Sequence, residues 1–327
     1  MTVRNCPVAA PRRAPLPAQE VLSGRGGRLL AGIVITLALL AAEGRAQEPA
    51  AQPIRVETSA AVTPVQQFRA DVTGGGSYSV FRTFASADLA VPVGRDLRVG
   101  LGLSYDYENY DFHGIAGFPV ADPWGTVQRL GLSVPIAWQL DERWQLRLVP
   151  SVQYAGENDA DWGDALIYGG IVAVAARISP QLTLGAGVGG FAGIEQVRVF
   201  PYLLVNWQIS ERLRLANPFR PGPAGPAGLE LLYTLGDDWL LAGGAAYRSY
   251  RQRLAAHGPV PDGIGELSGY PVFLSLSRSF GSWLRSDLWA GVLCGGKLSL
   301  ETADGGQLAE LRSDPAPFLG LTLSGRW

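Results

Sequence analysis

Three short patterns in the chain carry residue types at spacings that could do chemistry. Gly185-Ala186-Gly187-Val188-Gly189-Gly190 has the G-x-G-x-x-G spacing of a turn that cradles a dinucleotide pyrophosphate. Asp159-Ala160-Asp161, with Glu157 and Asp164 beside it, has the alternate carboxylates that open a calcium loop. His113 and His257, the two histidines of the chain, are the candidates for a base that would activate a serine. Each pattern lacks its context. The glycines lie in a run of period two with no helix after them, whereas a dinucleotide fingerprint joins a strand to a helix. Gly163 stands at the next alternate ligand position of the acidic loop, and Gly170 where the closing glutamate belongs. No motif places a serine near either histidine. The expectation is no catalytic residue, no metal and no cofactor, and so no enzyme.

A larger set of charged residues falls on one face of period-two segments. Arg69, Arg98, Arg129, Arg147, Arg177, Arg198, Arg248, Arg285 and Arg326 are expected to point inward. Asp71, Asp88, Asp106, Glu108, Glu230 and Asp287 oppose them. An interior lining of both signs can carry water and solute through a channel. The same residues can also cross-link and close the lumen, because pairing offsets the cost of desolvating charge. The excess of arginine over acid on this face implies a mild preference for anions.

The elements that hold these residues are long strands. Between Trp144 and Tyr154 one face reads Trp144, Leu146, Leu148, Pro150, Val152, Tyr154, and the other Gln145, Arg147, Val149, Ser151, Gln153. Residues 97–108 and 197–209 alternate in the same way, which is the strand signal. Fourteen strands are expected, at roughly 65–73, 82–93, 97–112, 126–139, 144–156, 165–178, 182–194, 197–209, 212–218, 227–235, 239–251, 268–280, 283–300 and 316–327. Dropping the first and ninth, the weakest two, leaves twelve. Tight polar turns such as Asp141-Glu142-Arg143 and Ser210-Glu211-Arg212 alternate with longer connections. Short turns at one end and longer loops at the other are the plan of a transmembrane barrel. The connection 217–226, with its Gly-Pro-Ala repeats, reads as a stiff external loop.

Aromatic placement agrees. Trp138, Trp144, Trp207, Trp239, Trp283 and Trp327 flank the short turns or the C-terminus, and Tyr105, Tyr107, Tyr154, Tyr168 and Tyr247 lie toward the longer loops. Such rings prefer the headgroup level, so two girdles are expected. Leu319, Leu321, Leu323 and Trp327 share one face of the last strand. That arrangement looks like the assembly signal read by the barrel-insertion machinery.

The fold class is therefore all-β, a single antiparallel transmembrane barrel over 65–327. Residues 1–46 read as an export signal: Arg25 and Arg28 precede the fourteen apolar or small residues 29–42, too few to span a bilayer, and Gly44-Arg45-Ala46 closes the segment. Residues 47–64, rich in Ala, Pro, Gln and Glu, read as a periplasmic linker. Charged residues make up only 17% of the chain, and the net charge of −2 excludes a strongly basic nucleic-acid binder. Removing 1–46 takes six arginines and two glutamates and leaves a net charge of −6. Cys294 is then the one cysteine left, so no internal disulfide can form. The expected location is the bacterial outer membrane. The expected partners are its lipid and the assembly machinery.

Several stretches carry a resemblance. They are Arg129 to Pro135, Asp141 to Leu146, Ala165 to Gly170, Val199-Phe200-Pro201, Gly228 to Leu231 and Asp314 to Gly320. On these the chain resembles an uncharacterised, porin-like family of bacterial outer-membrane barrels, a domain of unknown function. The resemblance implies a fold and a location and brings no activity. The functional expectation is a passive narrow pore for small polar solutes or ions. The alternative is a sealed structural or envelope-interaction barrel.

Overall fold

The computed structural model describes residues 56–219 and 221–327. The expected export signal and the first part of the expected linker lie outside the described residues. Among the described residues all regular structure is strand, in seventeen segments of one sheet. They are β1 (Glu57–Asp71), β2 (Ser77–Val93), β3 (Leu97–His113), β4 (Thr126–Ser133), β5 (Ile136–Gln139), β6 (Trp144–Glu157), β7 (Leu166–Ser179), β8 (Leu182–Gly193), β9 (Gln196–Gln208), β10 (Leu213–Ala216), β11 (Gly228–Thr234), β12 (Trp239–Ala246), β13 (Arg248–Arg253), β14 (Ile264–Phe280), β15 (Leu284–Glu301), β16 (Gln307–Arg312) and β17 (Ala316–Arg326).

Three pairs are single barrel strands interrupted once: β4 with β5, β12 with β13, and β16 with β17. Counted so, there are fourteen strands, and β1 pairs with both β2 and β17, which closes an antiparallel barrel. The β4–β5 break follows from Pro135, which has no N–H for the ladder; its carbonyl still accepts from Gly100 N at 2.7 Å. All fourteen expected strands are present. The first starts at Glu57, not Val65, so residues 57–64 belong to the wall and not to a linker. Between the expected strands 283–300 and 316–327 lies a further segment, β16.

Outward positions are predominantly apolar. Leu101, Leu103, Leu130, Leu132, Val172, Val174, Leu274 and Leu276 are all exposed. Trp138, Trp144, Trp207, Trp239, Trp283 and Trp327 are exposed near the short turns. Leu319, Leu321 and Leu323 also face outward, and the backbone of Trp327 pairs with Thr58.

The end with the longer connections is not a simple tube. Bulged register between Ser268 and Tyr270 bends β14, and Gly295 takes φ +58° beside it in β15. Above this bend the tips of β13 to β16 fold into the lumen. Residues 250–253 of β13 and 264–267 of β14 are buried on both faces. Arg253 reaches across to pair in parallel with Gly156 of β6. The tips thus close a narrower upper barrel with β1 to β6, and β7, β8 and β9 stand outside it as a wing. A core that includes Tyr78, Val80, Phe112, Trp124, Leu267, Leu298 and Leu300 fills that narrower barrel.

Residues 221–227 fold inward as well. Ala224 packs with Trp289, Phe273 and Phe318, and Pro221 O faces the hydroxyl of Thr322 at 3.5 Å. This overturns the expectation of an external loop. Apolar Pro and Ala of this segment cover Trp289 in mid-lumen, a burial that outweighs exposure to water.

Candidate functional site

A clamp of buried charge holds β13 across the lumen. The carboxylate of Glu108, fully buried on β3, sits between Arg129 Nε at 2.6 Å and Arg82 Nε at 3.2 Å. Tyr110 donates its hydroxyl to Glu108 at 2.7 Å. Arg129 then reaches β13: Nη1 donates to Arg251 O at 2.7 Å and Nη2 to Gln252 Oε1 at 2.9 Å. The ring of Tyr250 lies 4.5 Å from the Arg82 guanidinium and 5.0 Å from that of Arg248, within cation–π range. From the other face of β13, Arg251 grips Glu301 with both terminal nitrogens and donates to Ile194 O. Arg253 bonds Asp164 O, Asp262 O, Ala303 O and the carboxylate of Glu195.

Between this strut and the wing lies a cavity of about 1500 Å³. Arg198, Phe200 and Tyr202 of β9 line it from the inner face. Val197, Val199 and Leu203, on the outer face of the same strand, line it too. Both faces can border one space only where a strand is an edge. The ladders explain why. β9 pairs with β8 over its whole length, but with β10 only over Asn206 to Gln208. Above that, no strand of the described residues covers its other side. Val197 and Val199 are 74% and 70% exposed, the highest of the large apolar side chains. The far side of the mouth carries Tyr247 and Tyr270, whose rings lie 5.4 Å apart.

Asn217 bridges the lower end of this opening with its side chain, in place of a strand. Its Nδ2 donates to Leu203 O at 2.9 Å and to Gly228 O at 3.0 Å, and its Oδ1 accepts from Val205 N at 2.8 Å. Below it, toward the short turns, a second cavity of about 600 Å³ shares Asn217 in its lining.

The expected lumen residues divide among these features. Glu108 and Arg129 form the clamp, and Arg248 stacks on Tyr250 beside it. Asp106 lies one step below Glu108, opposite Arg129 in the ladder. Arg198 pairs with Glu266 in the upper cavity. Arg147, Arg177, Arg285 and Glu230 line the lower cavity, and Asp287 binds Arg285 at 2.9 Å. Asp88 lines a small serine-rich cavity on the wall. Arg98 and Arg326 sit at the rim by the short turns, on either side of Glu57 at 3.4 and 2.8 Å, not within the lumen.

Arg69 and Asp71 do not point inward. A bulge between Gln67 and Ala70 shifts the alternation, so Ala70 and Val72 take the inner face and Arg69 lies outside, 2.9 Å from His113. Arg82, Arg251, Arg253, Glu266 and Glu301 lie outside the set expected from the sequence. Stepping back by twos from Asp88 reaches Arg82; the other four sit where the tips fold inward.

The remaining patterns have local roles. Gly185 and Gly187 in β8 meet the backbone of β7 where a Cβ would stand, so they allow close strand approach. Asp161 Oδ1 accepts from Gly163 N at 2.7 Å in its own turn, and Glu157 accepts from Gly125 N and Ala255 N.

No family model matches the chain, and no curated protein matches it. Several solved structures resemble it. An outer-membrane channel from Pseudomonas putida F1 is 10% identical, with TM-score 0.47, over 86% of this chain and 100% of that one. The toluene transporter TodX of P. putida is 8% identical, with TM-score 0.43, over 84% and 90%. A FadL homologue from Pseudomonas aeruginosa is 12% identical, with TM-score 0.43, over 83% and 89%.

Proposed function

We propose that the chain is a bacterial outer-membrane barrel that passes small amphipathic solutes through a side cleft. One observation carries the reading: the upper half of β9 is an open edge, and both of its faces line one cavity of about 1500 Å³. Unpaired backbone is costly in lipid and is tolerated at membrane depth where it borders water or protein. A wall otherwise closed by ladders has little use for such an edge unless something enters there. The mouth offers apolar Val197 and Val199 beside paired charges, which suits a solute with a ring or chain and a polar end. The narrow axial pore expected from the sequence is set aside, because β13 and residues 221–227 pack inside the barrel. No reaction is proposed.

The membrane setting is supported by the apolar outer wall and by the tryptophans near the short turns. Replacing Trp327 with aspartate should therefore remove most of the heat-modifiable barrel from isolated membranes. Wild-type yield from that variant would count against a C-terminal assembly signal.

Uptake into proteoliposomes tests the route, with labelled benzenesulfonate and phenyltrimethylammonium as solutes that do not cross lipid. A bulky maleimide on Val199→Cys, in a Cys294→Ala background, should cut uptake of both by about tenfold if the only route is the mouth. The same label on Val172→Cys, on the wall of β7, should leave uptake unchanged. Equal effects at both positions would sink the side-cleft reading. A folded barrel that admits neither probe would favour the sealed barrel, a reading to which the full pairing of Glu108 already gives some weight.

A further inference from the structure

The two cavities differ in how their charge is balanced. In the upper one, Arg198 pairs with Glu266, Arg251 with Glu301 and Lys297 with Glu310. Four arginines of the lower one, Arg143, Arg147, Arg177 and Arg214, have no carboxylate within salt-bridge distance among the described residues. Arg147 Nε donates to Gln145 Oε1 at 2.9 Å, and Arg214 Nε donates to Asn206 Oδ1 at 2.7 Å. Arg143 lies over the ring of Trp144, and Arg177 has no side-chain hydrogen bond among the described residues. Among the described residues of this lining Glu230 is the one carboxylate, and it is buried on β11.

All four arginines are exposed to the solvent of the chamber. Like charges lining one cleft between low-dielectric walls focus a positive potential and raise the local concentration of anions. Guanidinium groups also match carboxylate and sulfonate oxygens in geometry. An apolar patch of Leu204, Leu232, Leu240 and Phe219 lines part of the chamber, and amide and hydroxyl side chains line the rest. An inorganic anion would leave that wall unused. A small organic anion with an apolar body would use both sides.

We propose that this lower chamber is a binding site for such an organic anion, and that it sets the charge preference of passage. The second clause rests on the side-cleft route; the first does not. The chamber lies beyond Asn217 on the way to the short-turn end. A solute that entered beside β9 would therefore meet neutralised charge first and unbalanced positive charge last.

The test separates the two clauses. Equilibrium dialysis of the chain, purified folded from membranes into micelles, measures binding of benzenesulfonate and of phenyltrimethylammonium, which carry the same ring with opposite charge. Benzenesulfonate should bind saturably, and phenyltrimethylammonium about tenfold more weakly. The triple variant Arg147→Gln, Arg177→Gln, Arg214→Gln should lose that difference. Arg177→Gln alone, which breaks no side-chain bond, should lose part of it and guards against a folding defect. Equal binding of the two probes by the wild type, or unchanged preference in both variants, would overturn the site. Uptake into proteoliposomes then reads the second clause: wild type should favour benzenesulfonate by about tenfold, and the triple variant should not. Binding without uptake would leave the site standing and remove the route. Uptake with the same preference in the triple variant would place selectivity elsewhere and overturn the second clause.

Discussion

Glu108→Ala should destabilise the barrel by about 3–5 kcal/mol, because it strands Arg82 and Arg129 as buried, uncompensated cations. The side chain of Glu108 is fully buried, and those of both arginines are 5% exposed. Little water is therefore at hand to take over its bonds, and Tyr110 would lose its acceptor at 2.7 Å as well. Urea unfolding in detergent, followed by the loss of heat-modifiable migration, measures the change. Glu310→Gln is the matched control. Its pair with Lys297 is 2.7 Å long but about a third or more exposed on each side, so about 0–1 kcal/mol is expected. A similar small loss from Glu108→Ala would mean that the arginines find other partners. The variant has a second readout. Arg129 holds β13 through Arg251 O and Gln252, and it is positioned by Glu108. Freed of that grip, β13 should leave the axis, and ion conductance steps should appear in planar bilayers where wild type gives few.

Much of this architecture is legible in the sequence. Alternation finds all fourteen barrel strands, because an outer face in lipid must be apolar and an inner face in water need not be. The same rule places Glu108, Arg129, Arg198 and Glu230 inside. It fails wherever period two is broken. The bulge after Gln67 inserts one extra residue, and every side chain beyond it changes face, Arg69 and Asp71 included. β13 fails differently. Its six residues, Arg248 to Arg253, are all polar or aromatic, with no apolar face to register against lipid. Both faces meet protein, one at Arg82 and Arg129 and the other at Glu266 and Glu301. Nothing local announces that. The pairing of Glu266 with Arg198, 68 residues away, forms only once the fold exists.

The inward turn of residues 221–227 is illegible in the sequence for a related reason. Its prolines and glycines have the composition of an exposed loop, and the contact that draws it in is with Trp289 on β15. Nor is the shortness of β10 legible. The sequence pattern gives this strand as 212–218, whereas it spans four residues, too few to seal the flank of the thirteen-residue β9.

Asn217 stands at the lower edge of that opening, and Asn217→Ala should loosen it. The substitution leaves Val205 N, Leu203 O and Gly228 O without the amide that joins them at 2.8 to 3.0 Å. Each buried group left unpaired costs about 1–3 kcal/mol, and less where water can enter. These alternatives have opposite signatures. If the seam stays dry, urea unfolding should show the loss in full and uptake should not change. If water enters, stability should fall less, the two cavities should merge, and benzenesulfonate uptake should rise. Asn217→Asp separates geometry from chemistry. It keeps the acceptor for Val205 N but sets a carboxylate against two carbonyl oxygens, so it should destabilise more than alanine despite its closer shape. An alanine variant with wild-type stability and wild-type uptake would show that Asn217 neither seals the wall nor divides the cavities. The boundary between them would then lie with Tyr202 and Leu204, the inward residues of β9 on either side of Leu203.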